Sequence, residues 1–312
     1  MKKKDSLRYA IGRSNLTGSY KTQHNHRQEA HRFVDALRES GQGVSKWTNV
    51  TNKHVSIAVS NWERCGLSCA TVKNYLSGVR ALCRAFGNDR IEPNNSAFGV
   101  LNRTYVDGVD KSVSDDIYNK AVVALEASGD DLKCRVSLML RFQRMMGMRL
   151  EESAKYNPLR DDHGNIAHIH VGTKGGRPRW PSMNDEQCKL MEVARESGFY
   201  QRATDSLIPV GWSERQWVNF VYKAVASVGL TKEDGGTMHG LRHAYAQDRF
   251  NALTGFDAPV KFDSLADYQG NGLSVAGDLF QTAQDQARYQ ISEELGHSRI
   301  AIASQYLGSF ER

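Results

Sequence analysis

Apolar residues recur at helical spacing along most of this chain, and this feature restricts its fold more than any other. The clearest case follows Ser68, where apolar side chains recur at intervals of three and four residues as far as Phe86. Ser68 is a typical residue before the first turn of a helix, and Gly87 is a typical terminator. Similar patterns precede this segment and resume near Asp115. The sequence therefore predicts a mainly helical protein.

One segment has the alternation of a β-hairpin instead. Residues 166–171 alternate, a glycine-containing turn covers 172–176, and residues 177–183 run back along the first arm. Lys174 lies at or near the tip of this hairpin. The expected fold class is mainly α with a small antiparallel β-sheet, that is, α+β.

The length of 312 residues is enough for two domains. A cluster of turn-forming residues at 91–96 follows the helical N-terminal part, and a stretch without helical period comes soon after it. The predicted divisions are a flexible basic arm at 1–25, a helical domain at 26–106, a linker at 107–114, and a second domain at 115–312 that contains an insertion at about 251–287.

Charge and composition restrict the partners and the location. The net charge is +6 and the pI is about 9.0, which is compatible with nucleic acid as a partner but does not require it. Five scattered cysteines without metal-type spacing favour a reducing cytosol. No apolar run approaches the roughly 18 residues of a membrane span, and no apolar segment follows the basic N-terminus. The expected location is cytoplasmic.

Basic residues in two segments are candidates for contacts with DNA phosphates. Lys73, Arg80 and Arg84 recur on the polar face of the helix after Ser68. Arg177 and Arg179 lie on the return arm of the hairpin. Phosphate contacts position a protein on DNA without reading its sequence. A solvated surface explains most such runs equally well, so both interpretations stay open.

Six further residues have the side chains that attack on a phosphodiester requires. The reaction needs a nucleophile, cations on the non-bridging oxygens, an acceptor for the proton of the nucleophile, and a donor to the leaving oxygen. The candidates are Tyr306 as nucleophile, Arg149 and Arg242 as cations, His239 as acceptor, Lys174 as donor and His297 as a further donor. Each has an ordinary structural explanation when taken alone.

The local sequence supports two of these assignments. Glu152 follows Arg149 by one helical turn, and a buried charge is usually paired, so we expect Glu152 to hold Arg149. Thr237 can cap a helix that carries His239 and Arg242 near its start, and a helix N-terminus favours an anion.

A metal site is the main alternative for the histidines of the hairpin region, His163, His168 and His170. No fourth ligand has convincing spacing, and no cluster of carboxylates suggests a two-metal mechanism. We therefore expect no metal cofactor.

The motifs, taken in order, resemble the tyrosine recombinase (phage integrase) family. Gly147-Met-Arg149-Leu-Glu-Glu152 resembles its first arginine box, and Thr173-Lys174-Gly-Gly resembles its hairpin lysine. His239-Gly-Leu-Arg242-His243 resembles its second box. Leu295-Gly-His297-Ser, followed by Tyr306, resembles its third box and nucleophile. The resemblance covers about residues 115–310, and the helical N-terminal part is similar to the core-binding (SAM-like) domain of the family more loosely.

The resemblance implies a recombinase that cuts and rejoins double-stranded DNA through a 3′-phosphotyrosyl link, without ATP or metal. Such an enzyme integrates or excises a mobile element. The implied roles are attack by Tyr306, phosphate binding by Arg149, Arg242 and His297, protonation of the leaving 5′ oxygen by Lys174, transfer of the tyrosine proton by His239, and support from Glu152 and His243.

The implied assembly is a homotetramer on two paired recombination sites, formed from a protein that is a monomer in free solution. Accessory DNA-bending or directionality proteins would be further partners. Two features depart from the family pattern: the stretch between Arg242 and His297 is longer than usual, and the tail after Tyr306 is short. Two alternative functions stay open, a topoisomerase of similar chemistry and a DNA-binding accessory protein that has lost catalysis.

Overall fold

The computed structural model describes residues 6–101, 108–200, 205–270, 277–297 and 299–310, except for the side chains of 269–281. The chain divides into two compact units, Met1–Thr104 and Tyr105–Arg312. Helices predominate in both units. None of the helices in the described ranges is long and apolar enough to cross a membrane.

The first unit is a small helical bundle. Its helices are α1 (Ser6–Ile11), α2 (Tyr20–Glu39), α3 (Asn52–Arg64) and α4 (Cys69–Ala85). Helices α2 and α4 pack against each other most extensively, and their apolar faces form one buried core. The predicted helix after Ser68 is confirmed, since the Ser68 hydroxyl accepts from the backbone N–H of Thr71.

The prediction of a flexible arm at 1–25 is wrong for the residues that the structure describes. Leu7 and Ile11 lie on one face of α1 and are fully buried in the core of the bundle. The indole N–H of Trp47 also donates to the carbonyl oxygen of Leu7 at 3.2 Å. The polar composition of this segment hid an amphipathic helix whose few apolar residues share a single face.

The second unit is built around α6, which packs against five of the other helices described in this unit. Its helices are α5 (Asp115–Ala127), α6 (Asp131–Met146), α7 (Leu150–Lys155), α8 (Pro158–Asp161), α9 (Asp185–Glu196), α10 (Glu214–Ala226), α11 (Met238–Thr254), α12 (Leu265–Gly270), α13 (Gly277–Glu294) and α14 (Ser304–Leu307). Asn184 caps α9 and Ser213 caps α10, since their side chains accept from the backbone N–H groups of Gln187 and Gln216.

The α+β prediction is wrong, because no β-strand forms in the described ranges and the fold is mainly α. The two arms at 166–183 do approach each other, and Ile169 and Arg179 exchange backbone hydrogen bonds of 2.9 and 3.0 Å. The pairing stays at isolated bridges. Pro178 and Pro181 interrupt the return arm, and a proline has no N–H with which to extend a ladder.

The sequence also predicted a linker at 107–114 and an insertion at about 251–287. Residues 108–114 form no helix or strand, and Val113 lies in the core of the second unit, where its backbone N–H donates to the carbonyl oxygen of Gly240. The predicted linker at 107–114 and insertion at 251–287 stay predictions, and residues 107 and 271–276 of these segments lie outside the described ranges.

Candidate active site

The corner between α6 and α7 places Arg149. Gly147 ends α6 with a φ of 60°, and a Cβ at this position would come within 2.5 Å of the Tyr245 ring, so only glycine fits. Arg149 then caps α7, and its backbone N–H donates to Glu152 Oε2 at 2.7 Å. The Arg149 guanidinium donates to Glu152 Oε1, also at 2.7 Å. The pair expected from the sequence is present.

Glu152 is fully buried and binds more than one arginine. Arg179 donates to both of its carboxylate oxygens, at 2.9 and 2.7 Å, and Arg242 Nη1 lies 3.7 Å from Oε2. Burial alone would raise the pKa of Glu152, but the hydrogen bonds and charges of the arginines, Arg179 first, outweigh it and lower this pKa to about 2. The carboxylate therefore stays ionised and balances one of three positive charges.

Helix α11 carries Arg242 into the interior. The Thr237 hydroxyl caps this helix as predicted, accepting from Gly240 N at 3.0 Å. Arg242 is completely buried, and its guanidinium donates to the carbonyl oxygens of Gly147 and Leu295. Burial is the main reason why the pKa of Arg242 is lowered to about 10, so it remains charged at neutral pH. Two backbone anchors fix the direction of this guanidinium.

The Tyr306 hydroxyl lies within this cluster. Arg242 Nε donates to the hydroxyl oxygen at 3.3 Å, and His297 Nε2 lies 3.2 Å from the same oxygen. Arg242 Nη2 is 3.3 Å from His297 Nε2. A guanidinium has no lone pair to accept with, so Nε2 of His297 accepts, and the Tyr306 O–H can donate to it. The structure thus joins the nucleophile candidate to two predicted partners.

The segment that carries Tyr306 is held by groups that the sequence did not point to. Arg288 of α13 donates to the Ser304 hydroxyl at 3.2 Å and to the carbonyl oxygen of Gly308 at 2.9 Å. Gln247 of α11 donates to the carbonyl oxygen of Tyr306 at 3.4 Å. These contacts lie on both sides of the tyrosine. They fasten residues 304–308 to α11 and α13.

His239 and His243 lie beside Tyr306 without taking its proton in this arrangement. The ring centres of His243 and Tyr306 are 4.7 Å apart, and those of His239 and Tyr306 are 6.0 Å apart. Among the hydrogen bonds of the described residues, only that of His297 joins a histidine to the Tyr306 hydroxyl. His239, which the sequence assigned to this proton, therefore packs near the tyrosine ring instead.

Burial keeps the site histidines neutral. Burial, followed by nearby arginine charges, lowers the pKa of His297 to about 3. Burial also lowers the pKa of His243 to about 4 and that of His239 below its usual value. In the unfolded chain these histidines take up a proton near pH 6.5, whereas in the folded chain they do so only at a lower pH. Folding stability should therefore be complete above about pH 6.5 and fall as the pH decreases towards the folded-state values.

We expect the urea midpoint of unfolding to decrease steadily between pH 7 and pH 5, where carboxylates with ordinary pKa values are still ionised. His243→Asn should flatten this dependence, since it removes one of the depressed groups. His163→Asn, at an exposed position, serves as the control. An unchanged midpoint across this range would contradict the assignment of buried neutral histidines.

The remaining basic candidates occupy different places. Lys174 is exposed on a short 3₁₀ turn (Lys174–Gly176), and its charge acts on His297. Arg177 is also exposed and donates to Glu293 at 3.1 Å. Arg179 was predicted to contact DNA, but its side chain is buried and binds Glu152. The short hairpin turns its side chain inward.

In the first unit, Lys73 is half-buried and Arg84 is exposed, both on α4. Arg80 is half-buried, and it donates to the carbonyl oxygen of Glu92 and to the Asn95 side chain, each at 2.8 Å. Arg80 therefore ties α4 to the following turn, and its predicted DNA contact is not supported. Contacts of Lys73 and Arg84 with DNA stay predictions.

The hairpin histidines form a stack of rings. His168 lies against Trp180 with ring centres 3.6 Å apart, and His170 lies on its other side at 4.2 Å. No group of three metal-binding side chains is found within the described ranges. The stacking explains why these histidines lie close together.

Two family models match consecutive parts of the chain. The model described as phage integrase, N-terminal, matches residues 6–92, and the model described as integrase matches residues 100–248. The chain belongs to the phage integrase family. Its members are tyrosine recombinases, as the order of motifs indicated. The second match ends at residue 248 and does not include His297 or Tyr306. That these two residues lie beside Arg242 is therefore known from the structure and not from the family match.

Solved structures of tyrosine recombinases share the fold of this integrase. A lambda integrase tetramer bound to a Holliday junction matches with a TM-score of 0.59 and 16% identity, over 99% of this chain and 77% of that chain. The Tn1549 transposon integrase in complex with transposon right end DNA matches at 0.57 and 13%, over 97% and 94%. The XerH site-specific recombinase bound to difH substrate matches at 0.56 and 16%, over 93% and 76%. No curated protein matches by sequence.

Proposed function

We propose that this protein is a site-specific DNA recombinase that cuts and rejoins DNA through a covalent link between Tyr306 and a 3′ phosphate. One observation carries the proposal: the Tyr306 hydroxyl lies in a buried cluster with Arg242 and His297. The neighbouring Glu152 holds Arg149 in the same cluster. A phenol among positive charges is suited to attack a phosphodiester, because these charges stabilise both the phenolate and the negative charge on the non-bridging phosphate oxygens.

The charge of the cluster fits a phosphate. The guanidinium groups of Arg149, Arg179 and Arg242 surround the single carboxylate of Glu152. Glu152 balances one of the three positive charges, and a phosphodiester anion would balance another. Guanidinium groups held in fixed directions bind phosphate oxygens well, since they need no rearrangement during the reaction. We assign this binding to Arg149 and Arg242.

In the proposed reaction, Tyr306 Oη bonds to phosphorus as the bond from phosphorus to the 5′ oxygen breaks. The leaving 5′ oxygen takes a proton from Lys174. The tyrosine proton passes to a histidine. His239 has this role by resemblance, whereas His297 Nε2 is the acceptor that lies 3.2 Å from the hydroxyl. Burial and the nearby arginine charges keep the pKa of His297 low; bound phosphate would offset the charges and so favour this transfer.

The proposed partner is double-stranded DNA, and the proposed active assembly is a homotetramer on two recombination sites. The related lambda integrase is a tetramer on a Holliday junction, which supports this arrangement. Integration or excision of a mobile element is the proposed role, with accessory DNA-bending or directionality proteins as additional partners. The proposed location is the cytoplasm, at the bacterial nucleoid. The net charge of +6 suits a DNA partner.

The test is a nicked suicide substrate that carries the recombination site and loses the short strand after cleavage. We expect the wild-type protein to form a covalent protein–DNA band on a denaturing gel. A plasmid with two sites should give recombined products. Relaxation of any supercoiled plasmid without recombination would favour the topoisomerase alternative. Specific DNA binding without a covalent band would favour an accessory protein without catalysis.

A further inference from the structure

The side chain of Arg179 is only 3% exposed, although it lies two residues from an exposed arginine on the same turn. Its two terminal nitrogens bind the two oxygens of Glu152 at 2.9 and 2.7 Å. This is the parallel, two-bond geometry in which arginine and carboxylate interact most strongly. Glu152 is in turn the residue that holds Arg149. Arg179 is thus one step removed from the phosphate-binding arginine.

Arg179 also supports the turn before His297. A Cβ built at Gly296 would lie 3.4 Å from Arg179 Cδ and 3.5 Å from its Nη1, so the Arg179 side chain lies beside this turn. The neighbouring Leu295 supplies the carbonyl oxygen that accepts from Arg242. Arg179 therefore binds the carboxylate beneath Arg149 and lies beside the turn that leads to His297.

We propose that Arg179 is a positioning residue, which fixes Glu152 and the Gly296 turn so that Arg149, Arg242 and His297 converge on one phosphate. The inference rests on the proposed function. A residue of this kind speeds the chemical step without adding to DNA affinity, because it touches no DNA itself. Misplacement of a catalytic group by about 1 Å slows a reaction by as much as about 100-fold.

The test compares the single-turnover cleavage rate with DNA affinity in Arg179→Lys, which keeps the charge but cannot bind both carboxylate oxygens. We expect the rate at saturating DNA to fall between about 10- and 100-fold. The dissociation constant and its salt dependence should stay at wild-type values, whereas loss of a direct phosphate contact would lower the salt slope by about one. Arg179→Met, which keeps the length of the stem, is assayed in the same way if Arg179→Lys does not fold.

A double-mutant cycle with Glu152→Gln separates positioning from general destabilisation. If Arg179 acts through Glu152, the double variant should be little slower than the slower single variant, because both remove the same link. Arg141→Lys is the matched control, since Arg141 forms a similar two-oxygen pair with Glu126 on the exposed surface between α5 and α6. Its cleavage rate should be unchanged.

Three results would overturn the inference: a wild-type rate in Arg179→Lys, a weaker salt dependence of its DNA binding, or fully additive effects with Glu152→Gln. Each presumes that the wild-type protein forms the covalent complex. Absence of that complex in the wild type would refute the proposed function instead, so the two failures can be told apart.

Discussion

Tyr306→Phe should abolish the covalent protein–DNA complex while leaving the protein folded and able to bind DNA. The ring of Tyr306 is almost completely buried and packs against His243, and phenylalanine keeps that packing. Only the hydroxyl is lost, together with its contacts to Arg242 and His297. We expect a stability change of about 1 kcal/mol, which is typical of one hydrogen bond. Without the Tyr306 hydroxyl, the proposed reaction has no nucleophile.

The measurement is the fraction of suicide substrate that enters the covalent band, beside a gel-shift titration of the same substrate. Tyr222→Phe is the control, because Tyr222 is exposed on α10 and loses the same hydroxyl. It should cleave like the wild type. A covalent band of normal intensity in Tyr306→Phe would mean that another residue attacks the phosphate, and the proposed mechanism would be wrong.

Arg242→Lys should slow cleavage by at least about 100-fold, even though the positive charge is kept. The guanidinium of Arg242 binds the carbonyl oxygens of Gly147 and Leu295 and also reaches the Tyr306 hydroxyl. A lysine ammonium is a single point and cannot make these three contacts together. The phosphate would then lose one of its two fixed donors, and the Tyr306 hydroxyl would lose the hydrogen bond from Arg242 that orients it.

The rate should be measured in single turnovers at saturating DNA, so that weaker binding does not contribute. Unfolding by urea provides a check on the fold, because Arg242 is fully buried and its replacement will lower stability. Arg215→Lys, at an exposed position on α10, is the matched control. A folded Arg242→Lys protein that cleaves within tenfold of the wild type would contradict the phosphate-binding role.

The sequence predicted features whose causes are local. Thr237 caps α11, and Glu152 binds Arg149, because each partner lies within one helical turn of the other. The order of the motifs also identified the family correctly. The prediction placed the hairpin in the right segment, but Pro178 and Pro181 prevent a sheet there. The prediction rested on the alternation of side chains and did not take into account that prolines have no N–H group. The buried face of α1 was hidden by its polar surroundings.

The sequence by itself determined which residues are available for the chemistry. It also determined which of them pair with a residue one helical turn away, as Arg149 does with Glu152. The tertiary structure alone decided that Arg179 turns inward onto Glu152, and that His297 rather than His239 contacts the Tyr306 hydroxyl. It also decided that Arg288 fastens the segment that carries Tyr306. These contacts join residues 9 to 27 positions apart, which is more than two helical turns, and they depend on how the helices pack. The spacing of residues in the sequence does not predict how the helices pack.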